Sequence, residues 1–304
     1  MKHMDRRGFL QASAGAAAVV TLGSAARGQP GKADGPAAAA ASSSEGASSA
    51  QPRLKHSVAR WCFDKIPLPE FCAFIKPMGV TSVELVGVAE WPVLAAHGLG
   101  CAVAVGPTKI HRGFSRAEDH DSLAQRMPAD LERAAAAPCG KCPMVIVFSG
   151  NNAGMSDDEG LANCEKGLKR VVGDAERLGV TIVMELLNSK IDHPDYMCRH
   201  TRWGVELVKR VGSPNFKLLY DIYHMQIMEG NIIQTIQDNI EHIAHFHVAG
   251  VPGRGEIDDT QELNYRRIVR AIADAGYTGY IGYEFLPKGE PLGALKRAME
   301  ICTA

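Results

Sequence analysis

An α/β fold of the closed (β/α)8 type, a TIM barrel, is predicted by three features of this chain. Eight short runs rich in β-branched and aromatic residues alternate with longer helical patterns, as βαβ units on a parallel sheet do. The alternation fills about 250 residues, the usual length of such a barrel. Several of the runs also end abruptly in an acid or a histidine, at the strand end where barrels of this kind place their sites. A doubly wound open sheet is the competing arrangement, but no GxGxxG follows the first run, so its nucleotide-binding form loses its main support.

Residues 1–52 stand outside this pattern. Arg6 and Arg7 are followed by Gly8-Phe9-Leu10, an Ala-rich apolar stretch to Leu22 and the small residues Ser24-Ala25-Ala26, in the order charged, apolar, cleavable. Residues 1–26 thus resemble a twin-arginine signal peptide, which implies export to the periplasm. From 27 to 52 the composition falls to Ala, Ser, Gly and Pro, including the run AAAAASSS, and reads as a disordered linker. The barrel is expected over 53–304. Deleting residues 1–52 should leave the thermal midpoint nearly unchanged, because a segment without a core has few contacts to lose. A large drop in a melting scan would show that the leader packs on the barrel.

The strands are predicted at 54–61, 81–86, 100–105, 144–149, 180–186, 216–221, 243–248 and 279–285. Helical patterns lie between them at 119–137, 157–178, 197–211, 229–241, 264–275 and 290–302. Gly179 and Gly276 stand where a left-handed cap is wanted.

Composition excludes some functions. Lys plus Arg is 33 and Asp plus Glu is 34, a formal charge of −1, so the phosphate neutralisation that nucleic-acid binding requires is missing. No apolar run beyond the N-terminus is long enough to span a membrane. The eight cysteines are diluted over a long chain. Cys139 and Cys142 form a CGKC pair that reads functionally as a redox pair or half a zinc site, but no second CxxC completes a structural zinc site, so the simpler reading is a surface loop, with or without a local disulfide.

Glu185, Asp221, His247 and Glu284 fall at the C-terminal ends of predicted strands five to eight, pointing into one mouth. Any one of them alone is a helix cap or ion-pair partner by default. Three carboxylates gathered at one place repel, and a divalent cation resolves the conflict. Oxygen-rich ligation with one imidazole suits Mn²⁺ or Mg²⁺, with Co²⁺ and Zn²⁺ as alternatives.

The segments MELLN, LYDIYHMQIMEG, HFHVAGVPGRGE with the downstream ELNY, and GYEF together resemble the hydroxypyruvate isomerase family of the xylose isomerase-like TIM barrels. The resemblance is dense from Val180 to Phe285. It implies a metal held by Glu185, Asp221, His247 and Glu284, with Glu185 and Glu284 doubling as acid–base groups and His224 and Arg254 touching substrate. Two departures stand out. Hydroxypyruvate isomerases tend to carry Gln at the third ligand position, whereas His247 here resembles the related ketose epimerases, and the histidine expected on the third strand is displaced to His111 in the following loop.

The ligand set suits isomerisation or epimerisation of a small keto-sugar or hydroxy-keto acid through an enediolate, with a carboxylate on each side of the substrate plane. A lyase or dehydratase would use the same groups, and a non-catalytic periplasmic sugar-binding barrel would not need two bases. The expected partners are the small-molecule substrate and, for a homo-oligomer, a second copy of the chain. Outside the main set, His224 reads either as a packed histidine bonded to backbone or as a substrate contact, and Arg254 as a loop charge or a substrate clamp. Trp61 reads as core or pocket wall, and Met225 and Met228 as helix packing.

Overall fold

The computed structural model describes residues 54–303. The expected signal and linker, residues 1–52, lie outside the described residues.

Eight parallel strands form one sheet: β1 (Lys55–Ala59), β2 (Val80–Glu84), β3 (Val103–Val105), β4 (Met144–Val147), β5 (Thr181–Leu186), β6 (Phe216–Asp221), β7 (Ile243–Val248) and β8 (Tyr280–Tyr283). β8 returns to pair with β1, β1 pairs with β2, and β3 to β7 each pair with the next strand in sequence. The seam between β2 and β3 is joined by single backbone bonds, Val83 N–H to Gly100 C=O (3.0 Å), Gly100 N–H to Thr81 C=O (2.9 Å) and Leu85 N–H to Val103 C=O (3.0 Å). The predicted strand at 100–105 is shortened because Ala102 N–H turns to the Ser82 hydroxyl (2.7 Å), out of the ladder.

The helices are α1 (Leu68–Ile75), α2 (Trp91–Ala96), α3 (His120–Ala135), α4 (Asp157–Lys169), α5 (Val172–Leu178), α6 (Thr201–Val211), α7 (Ile222–Met228), α8 (Ile232–Asn239), α9 (Tyr265–Asp274) and α10 (Pro291–Ile301). The single helix expected over 157–178 is two, broken at Arg170–Val171. Gly179 takes φ +58° at the end of α5 and Gly276 φ +83° just after α9, the left-handed turns that let the chain re-enter the barrel. α7 begins directly after β6, earlier than the helical pattern from 229 suggested. Asp221 caps it, accepting Tyr223 N–H (2.9 Å) and His224 N–H (3.4 Å) on Oδ1. Met225 and Met228 are buried within this short helix, as their spacing implied.

Side chains two apart on a strand share a face. β5 therefore sends Val183 and Glu185 to the same side, β6 Leu219 and Asp221, and β7 His245 and His247. The lower layer is apolar, a cluster of Ala102, Val103, Met144, Ile146, Val183 and Leu219. On the side of β1, β2 and β7 it gives way to buried Ser57, Ser82, Glu84 and His245. Gly282 makes that polar packing feasible. A Cβ there would lie 2.3 Å from Glu84 Oε1 and 2.8 Å from the His247 ring.

Candidate active site

The upper layer brings the four sequence-selected residues together. One ligand atom from each of Glu185, Asp221, His247 and Glu284 lies within 4.8 Å of the others, and all four residues are buried. His247 Nδ1 faces two carboxylates, Glu284 Oε2 at 2.7 Å and Glu185 Oε1 at 3.2 Å. Asp221 has two jobs that the sequence posed as alternatives. Its Oδ1 caps α7, while its Oδ2 turns to the site and accepts Arg254 Nη2–H (2.7 Å).

Arg254 sits in the loop after β7 with left-handed backbone, φ +52°, which aims the side chain back over the mouth. Its guanidinium also donates to Glu284 Oε2. It lies 5.7 Å from the Trp61 ring centre and 5.1 Å from that of Tyr223, a cation–π arrangement. Trp61 donates its indole N–H to Glu284 Oε1 (2.6 Å), so it walls the site and is not core.

His224 is fully buried, and its partners are side chains, not the backbone. Asn188 Oδ1 accepts Ile191 N–H (3.1 Å) and Asp192 N–H (2.9 Å), which fixes the amide so that Nδ2 points at His224 Nδ1 (2.7 Å). Arg254 Nη1 meets the other ring nitrogen at 2.6 Å. A guanidinium only donates, so Nε2 accepts from Arg254 and the neutral ring carries its single proton on Nδ1; burial, then the Arg254 charge, holds the imidazole well below its ordinary pKa.

A cavity of about 420 Å³ opens above these groups, lined among others by Trp61, Glu185, His193, His224, Arg254 and Glu284. Asp221 and His247 lie beneath, at 0% exposure. His111 is exposed and borders a separate surface cleft with Arg112 and Asp119, so the displaced histidine does not reach this site.

Glu84 is the residue that the sequence reading missed. It ends β2 fully buried, and its Oε1 accepts His247 Nε2–H (2.8 Å) and His245 Nε2–H (3.1 Å). The signal was present: TSVELV is an apolar run interrupted by an acid, as the runs bearing Glu185, Asp221 and Glu284 are. Glu84 Oε2 and His245 Nδ1 are buried without a partner among the described residues, a cost to folding. Asn188 closes the MELLN segment but was given no role, and His193 gave no signal, because both sit in a loop after β5 that carries no period.

Charge balance tests the fit of a cation. Burial, and then the neighbouring Glu284 and Asp221 charges, push Glu185 up to about 7 against the pull of His247. Burial likewise raises Asp221 and outweighs the adjacent Arg254. Burial alone would raise Glu84, but His245 and His247 outweigh it and hold it at about 2. Burial alone would lower His247, yet Glu284, Glu185 and Glu84 lift it well above its ordinary value. Without a metal, then, a proton on Nδ1 fills the gap between two carboxylates. With His247 neutral and free to ligate, the buried carboxylates Glu84, Glu185, Asp221 and Glu284 against Arg254 leave 4 − 1 = 3 negative charges, an excess that a divalent cation would offset in large part. Three carboxylates and one imidazole are also a donor set that hard divalent metals accept.

Eight parallel strands with converging acids at their C-terminal ends define a TIM barrel built for mouth-centred chemistry. The chain belongs to the xylose isomerase-like TIM barrel family, whose model matches residues 92–303. A twin-arginine translocation signal sequence matches residues 3–23. The chain is 38% identical over 110 residues to the 2-oxo-tetronate isomerase of Cupriavidus necator, covering 36% of this chain and 42% of that protein. It is 32% identical over 136 residues to the hydroxypyruvate isomerase of Escherichia coli, covering 45% of this chain and 52% of that protein. The match thus spans about half the length of these relatives. A solved structure described as an AP endonuclease of family 2 from Brucella melitensis superposes with a TM-score of 0.70 at 26% identity, covering 80% of this chain and 96% of that one. No helix among the described residues is long and apolar enough to cross a membrane.

Proposed function

We propose that this protein is an exported, divalent-metal-dependent isomerase or epimerase of a small hydroxy-keto acid or keto-sugar. The observation that carries the reading is the buried set Glu185, Asp221, His247 and Glu284, with ligand atoms within 4.8 Å of one another beneath an open cavity. These four residues would hold the metal, most simply Mn²⁺ or Mg²⁺. A bound divalent cation would supply Lewis-acid polarisation of the substrate carbonyl.

The chain's own groups then divide the work. Glu185 and Glu284 stand on β5 and just past β8 and reach the substrate from two sides, one removing the proton next to the carbonyl and the other returning a proton to the enediolate. Return to the neighbouring carbon isomerises, and return to the opposite face epimerises. Arg254 and neutral His224 orient substrate oxygens, and Trp61 covers the mouth. The names of the relatives support keto-acid substrates over DNA, and the formal charge of −1 argues against a phosphate-binding surface.

The metal-supplemented protein incubated in D₂O with hydroxypyruvate or a candidate ketose should place deuterium at the carbon next to the carbonyl, with product otherwise isobaric with substrate. Loss of water would identify a dehydratase instead, and no exchange with any candidate would refute the reading. Glu84 has a part in this scheme, since a carboxylate on Nε2–H turns the Nδ1 lone pair toward the metal. Glu84→Gln is expected to weaken metal binding by about 10–100-fold, as loss of such outer-shell partners does. Titration calorimetry with Mn²⁺ checks it, and unchanged affinity would remove Glu84 from the mechanism.

A further inference from the structure

The CGKC pair, unused by the proposed chemistry, lies at the opposite end of the barrel from the site, next to a third thiol. β3 and β4 pair in the register Val103 to Met144. Cys101 and Cys142, each two residues upstream of that pair, therefore enter neighbouring strands side by side. Their thiols are held alike, Cys101 S–H donating to Val103 C=O and Cys142 S–H to Met144 C=O, each at 3.3 Å. Adjacent strands run about 4.8 Å apart, inside the Cα separation of roughly 4.4–6.8 Å that a disulfide spans. Direct contact with the Cys142 side chain, followed by burial, pushes the Cys101 thiol well above its ordinary pKa.

The two thiols are also shut in, at 2% exposure for Cys101 and 0% for Cys142. Cys139 is half-buried in the loop before β4, and its carbonyl lies 3.8 Å from where a Cβ on Gly100 would stand. The surface-loop reading thus holds for Cys139 and fails for Cys142, whose strand-entry position takes it into the core.

We propose that Cys101 and Cys142 are joined by a disulfide that links β3 to β4, and that Cys139 is the thiol through which it forms. The place of oxidation rests on the export reading, since disulfides persist outside the cytoplasm; the pairing rests on the strands alone. The Cys139 thiolate attacks an external disulfide RSSR and releases RSH. Cys142 attacks the Cys139 sulfur of the mixed disulfide and releases the second RSH. Cys101 then attacks Cys142, and Cys139 leaves as a thiol. Two protein thiols and one RSSR become one protein disulfide and two RSH, with the thiol protons carried by the leaving thiols. The bond would pin β3, the shortest strand, beside the seam that single hydrogen bonds join.

Oxidised glutathione added to the reduced full chain, followed by alkylation and peptide mass mapping, tests the pairing. The expected product is a Cys101–Cys142 linked peptide with Cys139 alkylated, and a thermal midpoint about 5–10 °C above that of the reduced protein. Cys101→Ser should stop at a Cys139–Cys142 bond, and Cys139→Ser should reach the wild-type product only after losing the rapid phase. A stable Cys139–Cys142 bond in the wild type, or three free thiols, would overturn the proposal. Thiol trapping in cells separates the two premises. If glutathione makes the bond in vitro while the exported protein keeps free thiols, the strand geometry stands and oxidation after export is refuted.

Discussion

Replacing His247 with alanine is expected to abolish stoichiometric divalent metal in the purified protein. His247 offers the only nitrogen in the four-residue set, and its Nδ1 is the atom facing both Glu185 and Glu284. Removing it leaves three carboxylates with one guanidinium and empties the position that spaces them. The affinity loss should exceed the roughly 10–100-fold typical of outer-shell partners. Elemental analysis and Mn²⁺ titration measure it. His247→Gln provides the comparison: hydroxypyruvate isomerases, which this chain resembles, tend to carry Gln there, so an amide oxygen should retain metal at reduced affinity. If His247→Ala held metal as the wild type does, the ligand set would be wrong, whatever the activity showed.

The second large effect is on turnover. Glu185→Gln and Glu284→Gln keep size and an oxygen ligand but remove the base, and each should lower kcat by about 10²–10⁴-fold while some metal binding survives. The two need not fail alike. If each glutamate serves one face of the enediolate, one variant should still exchange the substrate proton with solvent deuterium without completing conversion. Epimerisation would display that asymmetry most clearly, because removal and return then occur on opposite faces. Full activity in either variant would end the two-carboxylate mechanism.

The site was largely legible because strand ends are local features. MEL, LYD, HFH and YEF each show an apolar run interrupted by a chemistry-bearing residue, and in a parallel barrel those interruptions must meet. Glu84 carried the same signal on β2 and was passed over, since its contact with the site appears only when His247 Nε2 is seen against it at 2.8 Å. The boundary of β3 was misplaced for a related reason. Its period is intact, but a hydroxyl from Ser82 on another strand takes the Ala102 N–H, and no property of residues 100–105 encodes that.

What the sequence by itself determined is the set of elements and the direction of their polar ends, because periodicity and turn chemistry act over a few residues. Only the tertiary structure decided how one group is shared between tasks. It splits Asp221 between a helix cap and the site, sets His224 between Asn188 and Arg254, brings Arg254 against two aromatic rings, and sets Cys142 beside Cys101 and away from the surface. Each of these depends on distances between residues far apart in the chain, which are fixed when the barrel closes and its interior excludes water.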